Sequence, residues 1–350
     1  MLVKLVVSVI IFALSLHFHR DATGANIADI ALYHGSDRQS KLEEGVKREG
    51  EFVWYTSVAM NDSQRVLQLF ERRYPFIRTK LIRFASERLI QRYQSEFQAN
   101  RSVADVIDTD NFAIEFLRRK KMLQSYYTPL AEKLDKRFVQ PQGYWVENRL
   151  IMIVVGYNTR LVKSAERPKR YEDLLDPKWK DNIALEQEQT EWFLALMEHW
   201  GEEKGKAFFK KLATQNAKIR SGHTLLAQLI SAGEDYLSPN AYSHQIAADQ
   251  RKGAPLDWVN LEPVIAKSAG GALARNAAHP HAALLFLDFM ISKEGGQKVF
   301  REASRIPTHP EVLPDPLSLR QGFEFIVVDP TKYLDKIDYY SNLWRKWMLR

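Results

Sequence analysis

Glu51-Phe52-Val53-Trp54-Tyr55-Thr56-Ser57 is the stretch whose reading decides the fold. Aromatic and β-branched side chains fill it, which is the composition of a buried strand. Working outward, Val66, Leu67, Leu69 and Phe70 put an apolar stripe on a helix. That helix must stop by Tyr74, because Pro75 disfavours helical backbone at the residue before it. Residues 78–84 read as a second strand. Ser86 is placed to cap the next helix, whose Leu89, Ile90, Tyr93 and Phe97 share one face. Asp105-Val106-Ile107-Asp108 is a third, short strand. Strand–helix–strand–helix–strand in this order predicts an α/β fold with a parallel sheet.

The alternation resumes downstream. Residues 150–157 form a strongly apolar strand, and Ile183-Ala184-Leu185 another. Amphipathic helices are expected over 192–199, 203–212 and 223–232, the last ended by Gly233, with a short strand at 235–238. Residues 277–290 and 293–303 look helical again. Two α/β lobes fit this better than one large sheet, with the chain changing lobes near 142–153 and returning near 262–271. The expected division is therefore 26–144 plus 268–310 for the first lobe, 145–267 for the second, and 311–350 as a C-terminal extension.

Ahead of the first lobe, Lys4, an apolar run from Leu5 to Leu16 and Thr23-Gly24-Ala25 make the three-part pattern of a secretory signal over residues 1–25. The run is short for a bilayer span, although an uncleaved anchor is the alternative reading. The chain has no cysteine, so neither disulfides nor a cysteine-borne lipid anchor is available. The expected location is the periplasm. A hydrophobic content of 45% with 27% charged residues is that of a soluble globular chain. The net charge of +7 could steer acidic ligands or a membrane surface but establishes neither. Arg118-Arg119-Lys120-Lys121 sits among apolar residues at helical spacing and reads as a solvated face, so no nucleic-acid partner is expected.

No Gly-Lys-Ser/Thr phosphate loop, Gly-x-Gly-x-x-Gly or Gly-x-Ser-x-Gly elbow occurs, and no catalytic residue or resident cofactor is expected. His279-Pro280-His281 offers two imidazoles, but Pro280 opens a helical run and places His281 in the first turn of a surface helix. Ser57, Ser86, Asp108 and Asp110 lie beyond strand ends, where open parallel sheets bind ligands. Glu186, Glu188 and Glu191 either complement a helix dipole or form a negative rim toward a cationic ligand. Tyr242, after Ser238-Pro239-Asn240, is either an iron-binding phenol or an ordinary half-buried tyrosine.

Taken together, Val53-Trp54-Tyr55-Thr56-Ser57, Phe70-Glu71-x-x-Tyr74-Pro75, Ala104-Asp105-Val106-Ile107, Gly156-Tyr157-Asn158-Thr159, Asp173-Leu174-Leu175-Asp176-Pro177-Lys178-Trp179 and Ser292-Lys293-Glu294-Gly295-Gly296-Gln297 carry a resemblance. In order and spacing, over roughly residues 45–310, the chain resembles the extracellular solute-binding proteins of bacterial ABC importers, in their ferric-iron-binding branch. The resemblance implies a type II periplasmic-binding fold: two α/β lobes, each a mostly parallel sheet flanked by helices, joined by crossing strands and closing like a clamp. It implies capture of a solute and delivery to an ABC transporter permease at the inner membrane, by a monomer and without a chemical reaction.

The family's iron ligands map onto this sequence unevenly. The histidine position falls near Ala59, the acidic position at Asp110 and the tyrosine pair at Ala241-Tyr242. Asp110 and Tyr242 are the two metal ligands the resemblance leaves, so transported Fe3+ would need a chelator, a carbonate-like synergistic anion or water. The departure keeps other ligands open. Trp192 and Tyr242 could stack on an organic cation such as a polyamine or a thiamine-like compound, balanced by Asp110 and Glu188. Arg83 and Ser86 could instead hold an anion such as a phosphonate. The expected ligand site is thus Ser57, Arg83, Ser86 and Asp110 from the first lobe, with Glu188, Trp192, Asn240 and Tyr242 from the second. Two rival readings are a secreted two-lobe hydrolase working through Asp108 or His223, and a sensor ectodomain built on the same clamp.

Overall fold

The strand Glu51–Thr56 pairs in parallel with Arg78–Arg83 on one side and with Val106–Asp110 on the other, Trp54 lying opposite both Leu81 and Val106. The structure, a computed structural model, describes residues 27–349, so the predicted signal segment lies outside the described residues. The helices Met60–Arg73 and Ser86–Gln98 connect the parallel strands, and the first ends on Tyr74 as Pro75 requires. Behind the sheet, Phe52, Trp54 and Phe70 pack on Phe286 with ring centroids 4.8, 4.9 and 5.1 Å apart. Each such ring, fully buried, contributes roughly 1.5–3 kcal/mol.

Phe286 belongs to the helix Pro280–Ile291, every residue of which from Ala282 onward is buried. The expectation of a surface helix here fails, because apolar residues all round its circumference make it a core element. Its two histidines are used structurally. His279 Nδ1 lies 2.8 Å from Asp105 and His281 Nδ1 lies 2.6 Å from Glu49, each backbone N–H donating to the same carboxylate.

Two long strands, Trp145–Asn158 and Val264–Ala274, run antiparallel through the middle of the molecule, Trp145 opposite Ala272 and Ile153 opposite Ile265. The second also pairs with Val106–Asp110, which attaches it to the first lobe. The far end of the first pairs with Leu237–Tyr242 and Leu256–Val259, which attaches it to the second. Gly270 sits at a register shift between them, where a Cβ would lie 2.3 Å from the Val146 carbonyl oxygen. Only glycine permits that approach.

In the second lobe, Ala184–Glu186 pairs in parallel with Lys218–Arg220. The core there is built on Trp192, Phe193 and Phe209. The chain end joins it. Phe325–Val327 adds a parallel strand to Val264–Ala266, and the helix Ile337–Met348 buries Tyr340, Trp344 and Met348 in the same core. The segment expected as an extension therefore supplies four side chains to this core, Val328 together with those three.

Candidate functional site

The second crossing strand is apolar or small along its whole length except at Lys267 and Ser268. Lys267 is 8% exposed, and its ammonium lies 3.1 Å from a Glu191 carboxylate oxygen. Burial alone would depress the lysine's pKa, but Glu191, Tyr242 and Asp110 outweigh it and hold the group charged well above its ordinary value. Those three neighbours come from different places. Glu191 opens the helix Thr190–Trp200, Tyr242 ends the strand Leu237–Tyr242, and Asp110 ends the strand Val106–Asp110. Lys267 is thus where both lobes and the crossing strand meet.

Tyr242 lies flat on His223, ring centroids 3.3 Å apart and planes at 17°. The Gln189 amide nitrogen donates to the Tyr242 hydroxyl at 3.1 Å and lies 2.8 Å from His223 Nε2. Burial, with Lys267 adding to it, pushes the His223 pKa far below its usual value, so the ring is neutral. His223 Nδ1 is buried and has no hydrogen-bond partner among the described residues, and the same holds for His244 Nδ1 and Gln189 Oε1. Burial also raises the Tyr242 pKa, against the opposing pull of Lys267, so the side chain is a neutral phenol.

Other ions in this junction have fixed partners. Arg149 pairs with Asp108 at 2.6 Å, and Asn148 donates to the same carboxylate at 2.6 Å. Arg305 gives two N–H bonds to one Asp62 oxygen at 3.0 and 2.9 Å. Glu186 accepts from the backbone N–H of Gly222 at 3.0 Å and of Glu188 at 2.7 Å, and burial raises its pKa.

The structure places the eight expected ligand residues differently from one another. Asp110 and Tyr242 both face Lys267 electrostatically, one from each lobe. Asp110 also caps its helix, accepting from the Ala113 N–H at 3.0 Å. Ser57 is half-buried, and its N–H donates to the Asp108 carbonyl at 3.0 Å. Ser86 is the first residue of its helix rather than the cap, and its hydroxyl accepts from Thr109 at 2.8 Å. Arg83 is exposed and reaches only the Val58 carbonyl, at 3.3 Å.

Three expectations from the second lobe change. Trp192 is buried in the core, edge-on to Phe209 and Trp344, and presents no face for stacking. Asn240 is a staple: it accepts from the Glu186 N–H at 3.0 Å and donates to the Glu186 carbonyl at 3.1 Å. Glu188 is exposed, and it is Glu191, one helical turn on, that reaches Lys267. Lys267 and Gln189 went unread in the sequence. One signal was available, a lone lysine inside Val264–Ala274, where a buried charge demands a partner. Among the described residues, no three His, Asp or Glu side chains group closely enough to hold a metal ion. An open cavity of about 550 Å³ lies elsewhere, against Arg167, Asp173 and Lys178 on the flank of the second lobe, and shares none of these groups.

Residues 101–329 match the family of bacterial extracellular solute-binding proteins. This chain belongs to that family. A solute-binding relative with the same architecture is AfuA from Actinobacillus pleuropneumoniae, solved with exogenous fructose-6-phosphate bound. It is 23% identical, with a TM-score of 0.75 over 86% of this chain and 99% of that one. The fold is accordingly the two-lobe, type II periplasmic-binding architecture. An uncharacterized protein of Haemophilus influenzae is 25% identical over 272 residues, 74% of this chain and 78% of the relative. The Fe(3+)-binding periplasmic protein of Serratia marcescens is 23% identical over 216 residues, 58% of this chain and 63% of that protein.

Proposed function

We propose that this solute-binding protein is the capture component of a bacterial ABC importer, working in the periplasm and handing its cargo to a membrane permease without a catalytic step. The cargo would sit between the lobes at Lys267. The lobes themselves would be residues 26–144 with 268–310, and 145–267, the last helix packing on the second. Iron(III) is the cargo named for the Serratia relative, and we read it here as arriving in a chelate. The observation that carries this reading is the donor set: Asp110 is partly spent on its helix cap and Tyr242 is a neutral phenol, so much of the coordination must come with the cargo. Hard oxygen donors from a polycarboxylate would supply it.

The test is a thermal-shift titration of refolded protein with ferric citrate, citrate, a hexose phosphate and a polyamine, paired with small-angle scattering. A cargo that binds only the folded state at a hundred times its Kd stabilises by about 2.7 kcal/mol. Ferric citrate should raise the melting temperature and compact the particle, and Tyr242→Phe should reduce both effects. Tight binding of iron(III) without any chelating anion would sink the chelate reading. Binding without compaction would sink capture between the lobes.

A further inference from the structure

We propose that Lys267 seats an oxyanion of the cargo, and that Glu191 occupies this seat while the cargo is absent. The inference rests on the reading that cargo binds between the lobes, and it names the chemistry that site would recognise.

A buried ammonium is unfavourable unless it is paired and hydrogen-bonded. Three cations near the junction solve this in two ways. Arg149 is held by a carboxylate that Asn148 also ties, and Arg305 by a doubled N–H contact to one Asp62 oxygen. These are fixed structural pairs. Lys267 is held by Glu191 through one 3.1 Å contact, from the first turn of a helix that belongs to the second lobe. Among the described residues Glu191 takes no other side-chain bond, so it can be displaced without orphaning a third group.

The uncharged groups beside Lys267 point the same way. Tyr242 accepts from Gln189 and keeps its own O–H to donate. His223 Nδ1 beside it is buried and without a hydrogen-bond partner among the described residues. An ammonium with a phenol O–H beside it is a set for a group rich in acceptor oxygens. A phosphate monoester and the carboxylate of a polycarboxylate chelate share that chemistry. An entering oxyanion would replace the Glu191 carboxylate on Lys267 and accept from the Tyr242 hydroxyl.

The experiment is isothermal titration of the full mature protein with ferric citrate, citrate and fructose-6-phosphate, on wild type, Lys267→Gln, Lys267→Arg and Glu191→Gln, with scattering on each saturated complex. The arm that binds identifies the source of the oxyanion. For that arm Lys267→Gln should cost tenfold or more in affinity, Lys267→Arg should recover part of it, and Glu191→Gln should tighten binding severalfold by removing the internal competitor. Near-ultraviolet circular dichroism checks that each variant is folded, and if Lys267→Gln is not, the sign of the Glu191→Gln effect decides. Unchanged affinity in Lys267→Gln overturns the seat. So does the mirror pattern, in which Lys267→Gln tightens and Glu191→Gln weakens binding, since that is the signature of a cationic cargo. Binding with compaction that ignores both residues defeats the seat alone. Absence of binding by all three probes overturns the seat, and binding without compaction defeats the capture reading and the seat with it.

Discussion

Replacing Trp344 tests whether the C-terminal helix is part of the second lobe or an appendage. Its indole is buried, edge-on to Trp192 and against Phe193, with centroids 6.2 and 5.7 Å away. Its Nε1–H donates to the Gln187 carbonyl at 2.6 Å. Truncating a buried tryptophan to alanine costs about 3–5 kcal/mol, through lost burial and the cavity left behind. Trp344→Phe keeps most of the ring contact but leaves the Gln187 carbonyl without its donor, which costs about 1–3 kcal/mol. Whole domains are stable by only about 5–15 kcal/mol, so urea denaturation followed by circular dichroism resolves both losses. The alanine variant should be the weaker of the two. Cargo affinity should fall as well, because Gln187 stands two residues before Gln189 and four before Glu191. A loss below about 1 kcal/mol in Trp344→Ala would show that the helix merely rests on the lobe.

Asn240→Ala should cost about 2–3 kcal/mol in the same assay, since it leaves the Glu186 N–H and carbonyl without their side-chain partner in a buried place. If Asn240 served the cargo instead, affinity would drop while stability held. His279 yields a pH dependence. Its hydrogen bond to Asp105 raises its folded-state pKa above the ordinary 6.5. The stability it contributes is then fully present below 6.5 and is lost as pH climbs through the raised folded value. The urea midpoint of wild type relative to His279→Gln should shrink over that window, and a difference that grows with pH would contradict the pairing.

The parallel strands of the first lobe were legible because their signals are local: a run of buried side chains, a helical stripe, a proline that stops it. The first crossing strand was legible only in its apolar half. Its start at Trp145 is hidden by Glu147, Asn148 and Arg149, which read as polar loop but are buried. Their partners lie far off in sequence, Asp108 for Arg149 and Gln297 for the Asn148 carbonyl. The same distance effect governs the site. Asp110 could be named as a candidate because it sits beyond a strand end, where a fold rule points, and Tyr242 because the family resemblance maps a ligand there. Trp192 misled, because a tryptophan near a helix start suits a cargo as well as a core. Its helix is buried through six consecutive residues from Trp192 to Met197, and that continuity argued for core. Lys267 needs tertiary knowledge, since only the pairing of the two crossing strands shows that its neighbours come from both lobes.

Position along the crossing strand also assigns different roles to Lys267 and Tyr242. Ile265 belongs to the second lobe's core and Ala272 and Leu273 to the first lobe's, so Lys267 lies between the two bodies. In the proposed clamp, Tyr242 would move with the second lobe and Asp110 with the first. A contact made at the pivot is available whether the lobes are parted or together, so it adds affinity to both states equally. A contact made from one moving lobe exists only when they meet. Only the second kind shifts the balance between open and closed forms, because a ligand moves an equilibrium only by its differential affinity for the two states. Saturated Lys267→Gln should therefore compact as fully as wild type in small-angle scattering, at a higher cargo concentration. Saturated Tyr242→Phe should stay partly open. The opposite pattern, with Lys267→Gln saturated yet open, would place the lysine on a moving lobe and refute the pivot.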